Sequence, residues 1–284
     1  MNLGFYRTPV DLSAAGKHAP LLKNLPRDVG ALTRVVQGLL IHEHMAEAYG
    51  VKLSPERHAE AHVRPLEAML DRIVAADPRP LSAQRAPEGR YVCVCRSFTL
   101  LMVALLRHQG VPARARCGFG TYFEKGKGYD HWVAEYWREA EKRWVMVDAQ
   151  IDDRQRQMFG IAIDTLDVKR DQFLVAGDAW RHCRAGNLDP KSFGILDMWG
   201  YWFIASNVIR DLAALNNREM LPWDVWGAMT RDDSQIDFAL FDRLAELTHE
   251  PDGHFDELRA IHRDPRFAVP GTVFNAVLNR TEAA

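Results

Sequence analysis

The stretch YVCVCRSFTLLMVALLRHQGVPARARCGF, residues 91–119, decides how the chain is read. From Phe98 the apolar side chains fall at Leu101, Met102, Leu105 and Leu106, the one-face spacing of a helix, while Leu100, Val103 and Ala104 fill much of the other face. Such a helix is buried. Arg107 and His108 make a basic last turn, Gly110 suits a left-handed cap, and Pro112 forbids continuation. Cys95 then sits in or just before the first turn, where unpaired N–H groups and the positive end of the helix dipole favour a thiolate.

Working outward, the next residues read as a strand, a loop and a hairpin. His131 to Trp137 forms one arm, Glu139 to Lys142 a polar turn, and Arg143 to Asp148 the other arm. With an even number of residues in the turn, opposed positions have an odd sum. His131 and Asp148 then project from one face, directly opposed or one diagonal step apart, within reach for a carboxylate to hold an imidazole. A cysteine at a helix start, a histidine on one strand and an aspartate on the next supply nucleophile, base and orienter.

At these residues the chain resembles the transglutaminase-like superfamily, the papain-like group that holds transglutaminases, related bacterial cysteine proteases and peptide N-glycanases. The shared elements stand here as Cys95-Arg96-Ser97-Phe98, Leu106 to Arg114, His131 to Glu135, and Trp144 to Asp148. The resemblance covers roughly residues 89 to 151, with three motifs in the right order. It implies Cys95 as nucleophile, His131 as base and Asp148 as orienter. Two departures stand out: Cys93 occupies a position that is usually glycine, and Val133, preceded by Trp132, one that is usually tryptophan. Tyr91, backbone near Arg90, and Trp132 are the candidate oxyanion or substrate contacts, with the N–H of Cys95 as the other oxyanion donor.

Composition bounds the rest. The 284 residues are 47% hydrophobic and 26% charged, with a net charge of −2. Such a chain buries a large core, and no basic run gives an electrostatic footprint for nucleic acid or anionic membrane. The opening MNLGFYRTPVDLSAAGKHAP lacks the pattern of a secretory signal, so a cytoplasmic location is expected, with Cys93, Cys95, Cys117 and Cys183 as thiols. Neither a calcium loop nor a zinc set is present, so no metal or cofactor is expected. His42-Glu43-His44 lacks the H-E-x-x-H spacing and reads as a surface face. His58 and His62 share a helical face without a third ligand.

The expected fold is α+β: a papain-like, transglutaminase-like core with the buried cysteine helix on an antiparallel sheet. Residues 1–88 form an N-terminal helical segment packing on a catalytic core of 89–188, and residues 189–284 form a mainly helical C-terminal subdomain. A helix opens at Pro26 or Asp28 and ends before Gly50; another starts at Ser54-Pro55-Glu56. Residues 75–89, with three prolines, read as a linker. Trp199 and Trp202 share one helical face, as do Trp223 and Trp226 if that stretch is helical. The uncharged run from Met198 to Ile209 is too short to span a bilayer. The expected activity is attack of Cys95 on an amide or other acyl bond of a peptide or small molecule. The resulting thioester passes to water or to an amine; a catalytically silent binding or structural module is the alternative. Neither donor, acceptor nor oligomeric state is written in the sequence.

Overall fold

A computed structural model describes residues 2–284. In chain order the elements are α1 (Val29–Leu39), β1 (Leu40–His42), α2 (Pro55–His58), α3 (Leu66–Ala76), β2 (Tyr91–Cys93), α4 (Cys95–His108), β3 (Ala113–Gly120), β4 (Gly128–Arg138) and β5 (Arg143–Val147). There follow α5 (Asp153–Phe159), β6 (Phe173–Val175), α6 (Ala176–Arg184), β7 (Phe193–Ile195), β8 (Met198–Trp199), α7 (Tyr201–Leu215), β9 (Asp224–Val225), α8 (Phe238–His249), α9 (Phe255–Ile261), β10 (Thr272–Asn275) and β11 (Arg280–Ala283). The class is α+β, as the sequence implies.

Helix α4 forms where the apolar period predicts, and all of Cys95 to Arg107 is buried. It ends as expected, with Gly110 at φ +79° ahead of Pro112. The hairpin β4–β5 closes through residues 139–142, with Arg138 opposite Arg143 and Ala134 opposite Val147. Continuing that register sets Asp148 level with Val133, one diagonal step from His131. Strand β3 runs antiparallel to β4 along its whole length and also pairs with β6, while β7 joins β4 in parallel. The sheet therefore draws strands from beyond Gln150, the point where the sequence places the end of the core.

Three segments depart from the sequence reading. The helix opened by Asp28, whose side chain accepts from the Ala31 N–H at 2.8 Å, stops at Leu39 instead of running toward Gly50. Leu40 to His42 extend and pair in parallel with Tyr91 to Cys93, because a backbone partner exists there that the local sequence does not reveal. Helix α3 arises directly after Pro65, in a stretch where the sequence pattern suggests no helix of its own. Trp223 and Trp226 are not on a helix: Asp224 sits in β9, its carboxylate accepting from the Leu221 N–H and from Arg64. The C-terminal region carries helices α7 to α9 as expected, together with the three-stranded sheet β9–β10–β11.

One hydrophobic cluster runs from Leu12 through α1, α3, α4, β3, β4, α6, α7 and α8 to Val273. The three segments expected from the sequence thus share a single core. Among the described residues no helix is long and apolar enough to cross a membrane.

Candidate active site

Cys95 is the first residue of α4, following Val94, an extended N-cap whose side chain makes no cap. The sulfur lies against the backbone N–H groups of Arg96 and Trp132, both of which favour the thiolate. Burial outweighs them and, together with the charges of Asp130 and Asp148, pushes the Cys95 thiol well up. The resting group is a protonated thiol. The helix start alone would favour the thiolate, and the desolvation that reverses it comes from tertiary packing.

His131, on β4, is buried at 2% exposure. Its Nε2 lies 2.8 Å from Asp148 Oδ2, and the same oxygen accepts from the Tyr122 hydroxyl at 2.6 Å. The other carboxylate oxygen accepts from the Gln150 N–H at 3.0 Å and the Ile151 N–H at 3.4 Å. Burial works to raise the Asp148 carboxyl, but the His131 ring, the Tyr122 hydroxyl and the Gln150 amide outweigh it and hold it below its ordinary value. The imidazole is walled by aromatic edges: Phe123 at 5.1 Å, Tyr122 at 6.2 Å and Phe173 at 6.4 Å between centroids. Tyr122 and Phe123 both come from the loop joining β3 to β4, which folds over the histidine.

Two of the expected contacts are reassigned. The Tyr91 hydroxyl donates to the Glu60 carbonyl at 2.6 Å, so its single proton is spent away from Cys95 and it is not an oxyanion donor. The Trp132 indole is 1% exposed within the core, and its Nε1 meets no acceptor among the described residues. Only its backbone N–H reaches the nucleophile. His58 bonds Glu43 and His62 bonds Asn275, and no group of three His, Cys, Asp or Glu that could hold a metal ion occurs among the described residues. Asp152 caps α5 and accepts from Tyr49, while Asp232 caps the turn that follows it.

The tryptophans after Asp189 stand back from the sulfur. Trp199 packs on Tyr129, which packs on Phe123 at 6.2 Å, so it reaches the histidine only through two intervening rings. Trp202 stacks on Phe203 and Trp223 on His62. Sequence reasoning missed Tyr122 and His42. Tyr122 lies in a loop with no periodic signal, and His42 falls in a stretch that reads as a charged helix face.

No curated protein matches the chain. A solved structure described as "a Putative Cysteine Protease from Cytophaga hutchinsonii" is similar at 16% identity and a TM-score of 0.37, over 61% of this chain and 45% of that one. Residues 52–149 match the family model of the transglutaminase-like superfamily, Transglut_core. The stretch that holds Cys95, His131 and Asp148 is therefore a transglutaminase-like core.

Proposed function

We propose that the protein is a cysteine-dependent acyl-transfer enzyme in which Cys95 attacks an amide or related acyl carbonyl, His131 moves the proton and Asp148 orients His131. The observation that carries this reading is the buried 2.8 Å contact of His131 Nε2 with Asp148 Oδ2, beside a helix-terminal cysteine whose sulfur rests against the amide following that histidine. With the Nε2 proton donated to Asp148, the Nδ1 lone pair is the acceptor for the thiol proton.

Because burial keeps Cys95 protonated, the proton leaves as the sulfur adds to the carbonyl carbon. The carbonyl electron pair moves to oxygen, and the N–H of Cys95 at the helix start is one donor to that oxyanion. Collapse breaks the bond to the leaving amine, which takes the proton from His131, and leaves a thioester. Water or a second amine then attacks the thioester, giving hydrolysis or transfer.

The test is acetylation by p-nitrophenyl acetate, followed by released p-nitrophenolate and by the mass of the protein. Wild type is expected to gain one acetyl group on Cys95, Cys95→Ala none, and His131→Ala or Asp148→Asn to slow the step by ~10²-fold or more. The burial of the thiol favours another reading, a silent module on the same core. Cys95 that stays free of acetyl while Cys95→Ala and wild type behave alike would establish that reading instead.

A further inference from the structure

His42 ends β1, and the parallel register with β2 sets it opposite Cys93, two residues before the nucleophile. Its Nδ1 accepts from the His44 backbone N–H at 3.2 Å. A neutral imidazole carries one proton, so with Nδ1 as acceptor that proton is on Nε2. Burial, then the neighbouring His44 and His131, pushes the ring down to about 3, so it stays neutral wherever the fold is intact. Among the described residues nothing accepts from Nε2.

The space that His42 lines is a narrow crevice shared with Phe98 and Gln150. Phe98 lies one turn from Cys95 on the same face of α4. Gln150 is the residue whose N–H holds Asp148, and its own Oε1, buried, meets no donor among the described residues. The crevice thus opens between the nucleophile's helix and the turn that anchors the triad carboxylate. It presents a fixed neutral N–H on one wall and an unmet acceptor on another. Buried polar groups without partners mark places where a further polar group is received. The oxyanion needs a second donor upstream of Cys95, and the Tyr91 hydroxyl is committed to Glu60.

We propose that the Nε2–H of His42 donates to the oxyanion formed when Cys95 adds to an acyl carbonyl. The inference rests on the acyl-transfer reading above. In the step concerned the sulfur–carbon bond forms, the carbonyl π pair becomes the third lone pair of the oxygen, and the N–H groups of His42 and Cys95 share it. The pair returns as the leaving group departs. A neutral donor serves here because it stabilises the developing charge without competing for the His131 proton, and a fixed dipole in a dry site needs no reorganisation.

The experiment compares two reactions of Cys95 in the full-length protein. Acetylation by p-nitrophenyl acetate passes through an oxyanion; alkylation by iodoacetamide displaces iodide and forms none. His42→Leu and His42→Gln are similar in bulk and differ in whether an N–H donor remains. His42→Leu is expected to slow acetylation by ~10²-fold while alkylation stays within about twofold, and His42→Gln to regain about tenfold of the loss. Melting curves check that each variant is folded, and the Gln variant stands alone against wild type if the Leu variant is not. Acetylation of His42→Leu at the wild-type rate would overturn the proposal, as would parallel loss of both reactions or equal rates for the two variants. A wild type that never acquires acetyl on Cys95 would instead overturn the acyl-transfer reading and the proposal with it.

Discussion

Asp148 Oδ2 receives two donors, and the one that the sequence did not single out makes a specific prediction. The Tyr122 hydroxyl at 2.6 Å stabilises the charged carboxylate, so Tyr122→Phe is expected to raise the Asp148 carboxyl toward its ordinary value. The acid limb of the pH–rate profile for Cys95 acetylation then moves to higher pH. The rate at its plateau falls by about tenfold, the worth of one hydrogen bond to a charged group. If Tyr122 served packing alone, the limb would stay in place. Cys95 gives a further prediction at this scale. Burial raises the thiol, so the charged form appears only as pH climbs past the ordinary thiol value. Alkylation by iodoacetamide is therefore expected to be slow at pH 7 and to keep rising on the alkaline side; a plateau reached below pH 7 would contradict a protonated resting thiol.

Strands β3 and β4 share a face on which charge is fully enclosed, and this is where the elements lock together. Glu135 lies 2.5 Å from Arg114 and 3.3 Å from Arg116, and Arg116 also binds Asp211 of α7 at 2.8 Å. Burial alone would raise the Glu135 carboxyl, but Arg114 and Arg116 outweigh it and hold it at about 2. A carboxyl depressed in the fold contributes stability that is complete above its unfolded value near 4.5 and is lost as pH falls toward 2. Glu135→Gln leaves two buried guanidinium groups short of their counter-charge and is expected to cost about 3–5 kcal/mol at pH 7 by denaturant titration. The gap should close as the solution is acidified. The His131-x-x-x-Glu135 spacing was legible in the sequence, and so was its placement on one strand face, because a period of two decides which side chains point together. The partners of Glu135 were not all legible, since Asp211 is far along the chain on a helix that reads simply as apolar. Strand β1 was hidden for a related reason: Leu40-Ile41-His42 continues a helical apolar run, and only the arrival of Tyr91 to Cys93 makes the extended form the better one.

Across the whole molecule, the continuous core from Leu12 to Val273 predicts cooperative unfolding. Calorimetry is expected to show a single transition, and a chain cut after Leu188 to be insoluble, because β7 and α7 would be missing from the sheet edge and the core. Two resolved transitions would mean that the segments after Asp189 stand alone. The class of fold and the nucleophile, base and orienter could be read from the sequence because each depends on spacing within about sixty residues. The arrangement of the C-terminal third could not, because β7 and β8 are too short to show a period and Trp223 and Trp226 are placed by Asp224 meeting Arg64. One contact described by neither helix nor strand pattern sets a timetable for all of this. The Tyr6 hydroxyl donates to the Leu215 carbonyl at 3.0 Å, and the Tyr6 carbonyl accepts from the Ala113 N–H that opens β3. During synthesis the first of these cannot form until α7 has left the ribosome, long after Cys95 and His131 have emerged. The loop that must close is about as long as any in the chain, so its entropy falls on the last stage of folding. The nucleophile therefore waits, unsheltered, as a reactive thiol in a growing chain, and is covered only when the far end of the core arrives.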